Sequence, residues 1–234
     1  MEILGIIPAR GGSKSIPHKN IKKIAGCPLL VYTCTAAKKS KCLSRVILST
    51  DDGKIAEVGK KCGVEVPFMR PKLLAVDNTP TLPVILHALE FLRKKENYKP
   101  DIVILLQPTS PLRTAKHIDE AVDLLIKEKA DSVVSVIEVP HQFNPVSVMV
   151  IKKGRLKPYM KGLAILRRQD KPKVFARNGP AILAVRASIL LKKKSLYGSN
   201  VRPYLMQPED SIDIDNVFDL KIAQYLLKCR EHGR

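Results

Sequence analysis

The chain has 234 residues, of which 45% are apolar, enough for one globular unit with a sizeable core. Its 41 basic and 22 acidic residues leave a net charge of +19, but the basic residues stand in separate pairs with one triple at Lys192 to Lys194, there is no Trp, and no basic block carries interleaved aromatics, which argues against a nucleic-acid binder. No run reaches membrane-span length, Glu2 stands where a secretory leader carries positive charge, and five scattered cysteines form neither a CxxC nor an even disulfide set, so no membrane anchorage and a cytoplasmic setting with reduced thiols are expected.

In chain order, "ILGIIPA" (3–9) reads as a buried strand and Pro28 opens a helix over "PLLVYTCTAAKKS", which ends in lysines. Cys27 and Cys34 are expected on one buried face of that helix. "RVILST" (45–50) is a strand, "DDGKIAEVGKKCG" a helix ending at Gly63, and "VEVPF" (64–68) a third strand. A helix follows over 81–95, then "DIVILLQ" (101–107), whose continuous apolarity suits a central parallel strand. A helix over 114–129 and a strand over 131–139 complete a βαβα series. The series predicts a three-layer α/β/α fold around a mostly parallel twisted sheet. Residues 140–177 break the pattern. "VSVMVIKKGRLKPYM" reads as two strands around a Lys-Lys-Gly turn, so this segment is expected to be a hairpin-bearing insertion for dimerisation and sugar binding. The main domain, 1–139 and 178–234, resumes with a strand at 180–186, a helix near 187–195, "PYLM", and "SIDID" as an apparent strand. A final helix from about Asn216 to Arg230 carries Val217, Leu220, Ile222, Tyr225 and Leu226 along one side.

The stretch "IIPARGGSKSIPHKN" (6–20) places two glycines and the cations Arg10, Lys14 and Lys19 directly after the first strand. A glycine turn at the carboxyl end of a strand can present N–H groups to phosphate. Neither GxxxxGK[ST] nor GxGxxG is present, so any phosphate loop here is of another kind, with side chains supplying much of the charge. Near the other end, Asp213 and Asp215 lie two apart, so on a strand they share a face and suit a hard cation. Capping of the last helix by Asp215 or Asn216 is the alternative, and Asp210 and Asp219 read as structural. "LLQPTSPLR" puts Gln107 after a buried strand, at the same sheet edge as Arg10, and also reads as a strand-to-helix turn with Thr109 or Ser110 as a local cap. Arg70, before Pro71, is held extended, and "DNT" beyond it also reads as a cap for the helix at 81. No GxSxG or triad supports covalent acyl chemistry.

The opening stretch resembles the signature I-P-A-R-x-G-S-K-x-[IL]-P-x-K-N of the acylneuraminate cytidylyltransferases. "VILSTDD" (46–52), "LLQPTSPLRTAKHIDEAV" (105–122), "RNGPAIL" (177–183) and "DSIDIDNVFDLKIA" (210–223) follow in the family's order. One departure is Ser15, where glycine is usual, and strain is expected there if the position needs φ > 0. The resemblance implies a nucleotide-diphosphosugar-transferase-like fold, a homodimer, CTP and an acidic nonulosonic sugar as substrates, and Mg²⁺ or Mn²⁺ on Asp213 and Asp215. It implies Arg10, Lys14 and Lys19 on the phosphates, with Ala9, Gly12, Ser13, Asn20, Arg70, Asp77 and Thr79 completing the nucleotide site. For the sugar it implies Gln107, Thr109, Ser110, Arg113, Arg168, Gln169 and Arg177. Arg113 could equally tie its loop down, and Arg168, Gln169 and Arg177 could equally be surface. The expected reaction is attack of the sugar's anomeric hydroxyl on the α-phosphorus of CTP, with release of pyrophosphate and no identifiable general base. The alternatives are another acidic sugar (ketodeoxyoctulosonate, legionaminate or pseudaminate) and, from the +19 charge, a non-catalytic nucleotide- or RNA-binding protein.

Overall fold

A computed structural model describes residues 1–160, 167–179 and 181–231. In order come β1 (Ile3–Pro8), β2 (Lys23–Ile24), β3 (Cys27–Pro28), α1 (Leu29–Lys39), β4 (Arg45–Ser49), α2 (Gly53–Lys61), α3 (Thr81–Glu96), β5 (Ile102–Leu105), α4 (Ala115–Lys127) and β6 (Ser132–Glu138). Then follow β7 (Met149–Lys152), β8 (Arg155–Pro158), β9 (Phe175–Arg177), β10 (Leu183–Arg186), β11 (Val201–Leu205) and α5 (Val217–Glu231).

The central sheet has the order β11-β6-β10-β5-β1-β4, with β9 also pairing β6. β1 runs parallel to β4 and β5, and β11 parallel to β6. Strand alternation builds three layers. Ile3, Ile7, Val46, Leu48, Ile102 and Ile104 pack with α1, α2 and α4, whereas Leu4, Ile6, Ile47, Val103 and Leu105 pack with α3. β10 departs from the parallel pattern and runs antiparallel to both β5 and β6. The chain leaves the carboxyl end of β6 into the insertion and returns at that end, so the next strand must run back.

Local chemistry sets the helix ends. Pro28 precedes α1, and Lys38 and Lys39 sit in its last turn, where the helix dipole favours cations. The Asp52 carboxylate accepts from the N–H groups of Lys54 and Ile55 to start α2. Thr114 and His117 exchange hydrogen bonds as a capping box for α4.

Several expectations need correction. "VEVPF" is not a strand: only the bridges Ile47–Glu65 and Thr50–Met69 form, and Pro67 between them cannot donate to a ladder. The segment after β10 is helical over 187–193, near the expected 187–195, but most of it is a wide π-type turn, Ile189–Lys193. On α5 the buried residues are Leu220, Ala223 and Leu227, while Val217 and Tyr225 are exposed. Cys34 is buried but Cys27, which lies before α1, is exposed, so the two do not share a covered face. The Lys-Lys-Gly hairpin forms as β7–β8, with Lys153 and Gly154 both at positive φ. Residues 161–166 of the expected insertion, and Pro180 of the expected strand at 180–186, lie outside the described residues. Among the described residues no helix is long and apolar enough to cross a membrane.

Burial pushes the Cys34 thiol up to about 12, and Cys42 likewise. A thiol reagent at pH 8 is therefore expected to label Cys27 in the native protein and to reach Cys34 only after unfolding. Rapid native labelling of Cys34, read by peptide mass, would contradict this packing.

Candidate active site

Three distant segments meet where β1, β4 and β5 end, and apolar residues set between the charged ones bring them together. Ile16 lies between Lys14 and Lys19, and Ile214 lies between Asp213 and Asp215. Both are fully buried in one cluster with Ile24, Leu29, Leu112 and Leu220. The Ile214 backbone is held on both sides: its N–H donates to Thr109 O at 2.8 Å, and its carbonyl accepts from Lys19 Nζ at 2.7 Å. The opening loop, the loop after β5 and the acidic segment thus share one anchor.

A cavity of about 460 Å³ opens above this anchor. It is lined by Arg10, Gly12, Ser13, Lys14, Lys19, Asn20, Arg70, Asp77, Thr79, Gln107, Thr109 and Asp215, all of them sequence candidates, and also by Ser15, Leu74 and Val76. Ala9 is not on this wall: it is buried, and its N–H continues the sheet to Ser49 O. The Gly11 N–H is taken by Asp51 Oδ1 at 3.0 Å, so it is not free for a phosphate. A Cβ on Gly11 would lie 2.7 Å from Asp52 Oδ2, which explains glycine there, while Gly12 faces open space. Positive φ falls on His18 (φ 51), not on Ser15, so the expected strain at Ser15 is absent.

Arg10 and Lys14 converge on Asp77, at 2.5 and 2.8 Å. Lys14, and then Arg10, hold the Asp77 carboxyl below its ordinary range. Two cations focused on one anion form a fork that a phosphate could enter by displacing the carboxylate. Asn20 is buried and donates to Arg10 O at 2.9 Å, fixing the turn that carries Arg10. Arg70 is buried against Ser49, donating to its hydroxyl at 3.0 Å and to its carbonyl. Burial pulls its guanidinium down to about 10. Thr79 bonds within its own loop and does not cap α3, which starts at Pro80 without a side-chain cap.

The acidic segment is irregular rather than a strand, so the shared-face expectation for Asp213 and Asp215 fails as stated. Asp215 is exposed and lines the cavity, with its Oδ1 4.0 Å from Lys19 Nζ. Asp213 is half-buried, and its Oδ1 is enclosed without a hydrogen-bond partner. Burial raises the Asp213 carboxyl above its ordinary range, and the nearby charge of Asp215 adds to this. Neither carboxylate is spent on capping. Asn216 Oδ1 caps α5 by accepting from the N–H groups of Phe218 and Asp219, and Asp219 Oδ2 accepts from those of Asp215 and Asn216. Asp210 is structural, paired with Arg230 and His117.

These donors fit a hard divalent cation. An enclosed, unpartnered carboxylate oxygen two residues from an exposed carboxylate whose paired cation, Lys19, stands off at 4.0 Å is a donor set suited to a hard cation. Among the described residues there is no group of three or more His, Cys, Asp or Glu that could hold a metal ion.

A second cavity of about 530 Å³ shares Thr81 and Gln107 with the first, and is also lined by Leu105, Arg177, Gly179, Leu183, Leu196 and Tyr197. Arg177 Nη1 donates to the Tyr197 hydroxyl at 2.7 Å. Leu196 and Tyr197 had no local signal, since "SLYGSN" reads only as a connector. Four sugar candidates lie away from both cavities, and for Arg113 the loop-tying alternative is the one seen. Arg113 is buried and donates to Gln107 O, Ala181 O and Thr33 Oγ1, so its guanidinium is spent inside the fold. Ser110 is fully buried with its hydroxyl away from both cavities. Arg168 and Gln169 are exposed on the insertion and line neither cavity.

Arg113 ties the loop after β5 to α1 and to the start of β10, so Arg113→Ala is expected to cost about 3–5 kcal/mol of stability, as other losses of buried charged hydrogen-bonding groups do. Urea unfolding measures this, and a change below about 1 kcal/mol would deny the structural role.

The cytidylyltransferase family model matches residues 4–226. A CMP-N,N'-diacetyllegionaminic acid synthase of Legionella pneumophila is 32% identical over 100% of this chain and 99% of its own length. An N-acylneuraminate cytidylyltransferase A of Danio rerio is 35% identical over 95% of this chain, which spans 50% of that protein. Among solved structures, CMP:2-keto-3-deoxy-manno-octonic acid synthetase complexed with CTP superposes with a TM-score of 0.71 at 18% identity, covering 98% of this chain and 100% of that one.

Proposed function

The chain belongs to the cytidylyltransferase family, and from that membership we propose that it transfers CMP from CTP to the anomeric hydroxyl of an acidic nonulosonic sugar, releasing pyrophosphate. The observation that carries the reading is the junction at Ile214: a cationic fork and the Asp215 carboxylate border one cavity, Asp213 lies two residues away with one oxygen enclosed and unpartnered, and a second cavity shares Thr81 and Gln107 with the first. The nucleotide takes the first cavity and the sugar the second.

In this reading Arg10 and Lys14 exchange Asp77 for phosphate oxygens, neutralising charge that grows on the leaving pyrophosphate. Lys19 keeps the acidic segment against the opening loop, and Arg70 and Asn20 stiffen the wall facing the base. Gln107 and Arg177 orient the sugar, the arginine fork suiting a carboxylate. Asp213 and Asp215 hold Mg²⁺ or Mn²⁺, which supplies Lewis-acid polarisation of the α-phosphate when bound. The protein's main contribution is alignment of hydroxyl, phosphorus and leaving group. Exposed Ile151, Leu156 and Tyr159 at the hairpin, and exposed Phe175 on β9, support a homodimer through the insertion. The free cysteines support a cytoplasmic setting.

The test is pyrophosphate release from CTP with a panel of acids: N-acetylneuraminate, a di-N-acetylated legionaminate, pseudaminate and ketodeoxyoctulosonate, each with and without Mg²⁺. Release with one nonulosonate, dependent on metal, is expected. Release with none of them, together with salt-sensitive RNA binding, would defeat the reading.

A further inference from the structure

Strands β9 and β10 lie along the same edge of β6, but not continuously. Arg177 pairs with Val136 and Leu183 with Val134, so on β6 only Ser135 separates the two pairings, whereas Asn178, Gly179, Ala181 and Ile182 are among the residues between them on the other side. The Ser135 N–H still reaches Ile182 O, and its hydroxyl both accepts from the Ile182 N–H and donates to Asn178 Oδ1. The break is therefore a fixed bulge, a feature that proteins use to re-aim side chains near active sites.

Two residues of this bulge touch the acidic segment. Asn178 is buried and donates through Nδ2 to Ser211 Oγ at 2.9 Å, and Ser211 Oγ donates to Gln207 O. This pins the chain two residues before Asp213. Gly179 has φ +108, and a Cβ built on it would lie 3.0 Å from both Cγ and Oδ2 of Asp213. The carboxylate is thus seated in the space that glycine leaves open, against a residue lining the second cavity and two positions from Asp215, which lines the first.

We propose that Asn178 and Gly179 are positioning residues for the Asp213 carboxylate: Asn178 fixes the height of the acidic segment and Gly179 provides the seat, so that the carboxylate is held between Gly179 of the second cavity's wall and the segment that carries Asp215 to the first. The proposal rests on the metal-holding role given above to Asp213. Residues behind a metal ligand typically tune affinity by about 10–100-fold, which sets the expected effect.

The experiment titrates Mn²⁺, followed by electron paramagnetic resonance, into the protein with saturating CTP and no sugar. It uses wild type, Gly179→Ala, Ser211→Ala and Asp213→Asn, with CTP affinity also measured without metal. Gly179→Ala and Ser211→Ala are expected to weaken Mn²⁺ at least about tenfold, with metal-free CTP affinity unchanged within about twofold. If Gly179→Ala does not fold, Ser211→Ala, which keeps the Ser135–Asn178 bond, decides alone. Mn²⁺ affinity within twofold of wild type in the folded variants, while Asp213→Asn loses it, would overturn the positioning role and spare the metal reading. An equal loss of metal-free CTP binding would show general distortion and also overturn it. Unchanged Mn²⁺ affinity in Asp213→Asn would instead remove the metal reading itself.

Discussion

Replacing Asp215 by asparagine is expected to lower turnover by at least about 10³-fold, the several kcal/mol that a charge-stabilising ion contributes, while thermal stability stays within about 2 °C of wild type. The two effects separate because of where the side chain sits. Asp215 is exposed, its nearest cation is Lys19 at 4.0 Å, and the cap of α5 belongs to Asn216. Removing one negative charge therefore breaks no contact that folding uses. It does remove the one carboxylate of the pair that lines the cavity, leaving Asp213 to hold a cation alone. Near-normal turnover at limiting Mg²⁺ would refute the assignment, and a large fall in stability would show that the residue is structural.

The second large effect is expected at Arg10. Arg10→Ala is predicted to reduce kcat/KM by about 10²–10³-fold, roughly 3–4 kcal/mol, as loss of an oriented donor to a developing anion does. The guanidinium is already aimed into the cavity, since Asp77 holds it at 2.5 Å and Asn20 holds its backbone carbonyl. Arg10→Lys should recover only part of the loss, because an ammonium cannot reproduce the two-point fork. A fall below tenfold in Arg10→Ala would count against a phosphate contact.

The layered fold was legible in the βαβα series of apolar runs and helical patterns, and each buried strand then feeds both layers, Leu4 and Ile6 packing on one side and Ile3 and Ile7 on the other. The opening loop was legible because so many cations and glycines in one turn have few structural uses. The orientation of β10 was not legible, because an apolar run reads the same in either direction. It follows instead from where the insertion returns. The roles of Ser110 and Arg113 stayed open between ligand contact and loop structure for a related reason. In "LLQPTSPLR" the spacing is the same whether the guanidinium points to a ligand or back to Gln107 O, and only the packing of Thr33 and Ala181 around it decides. Spacing alone left the acidic pair open between a cation site and capping of the last helix, and the expected strand is not there. Its placement comes from Ile214, an ordinary core residue whose burial carries the two carboxylates to the opening loop. Leu196 and Tyr197 gave no warning, since a cavity wall contributed by a connector has no periodicity to read.

The most direct measurement is the affinity of CTP for the protein without sugar, taken with and without Mg²⁺ in wild type, Arg10→Ala and Asp215→Asn. The convergence of fork and carboxylates on one triphosphate predicts that Arg10→Ala weakens CTP in both conditions. It also predicts that Asp215→Asn loses the Mg²⁺ enhancement while binding metal-free CTP as well as wild type or better. Full Mg²⁺ enhancement in Asp215→Asn, or CTP binding indifferent to Arg10, would contradict it.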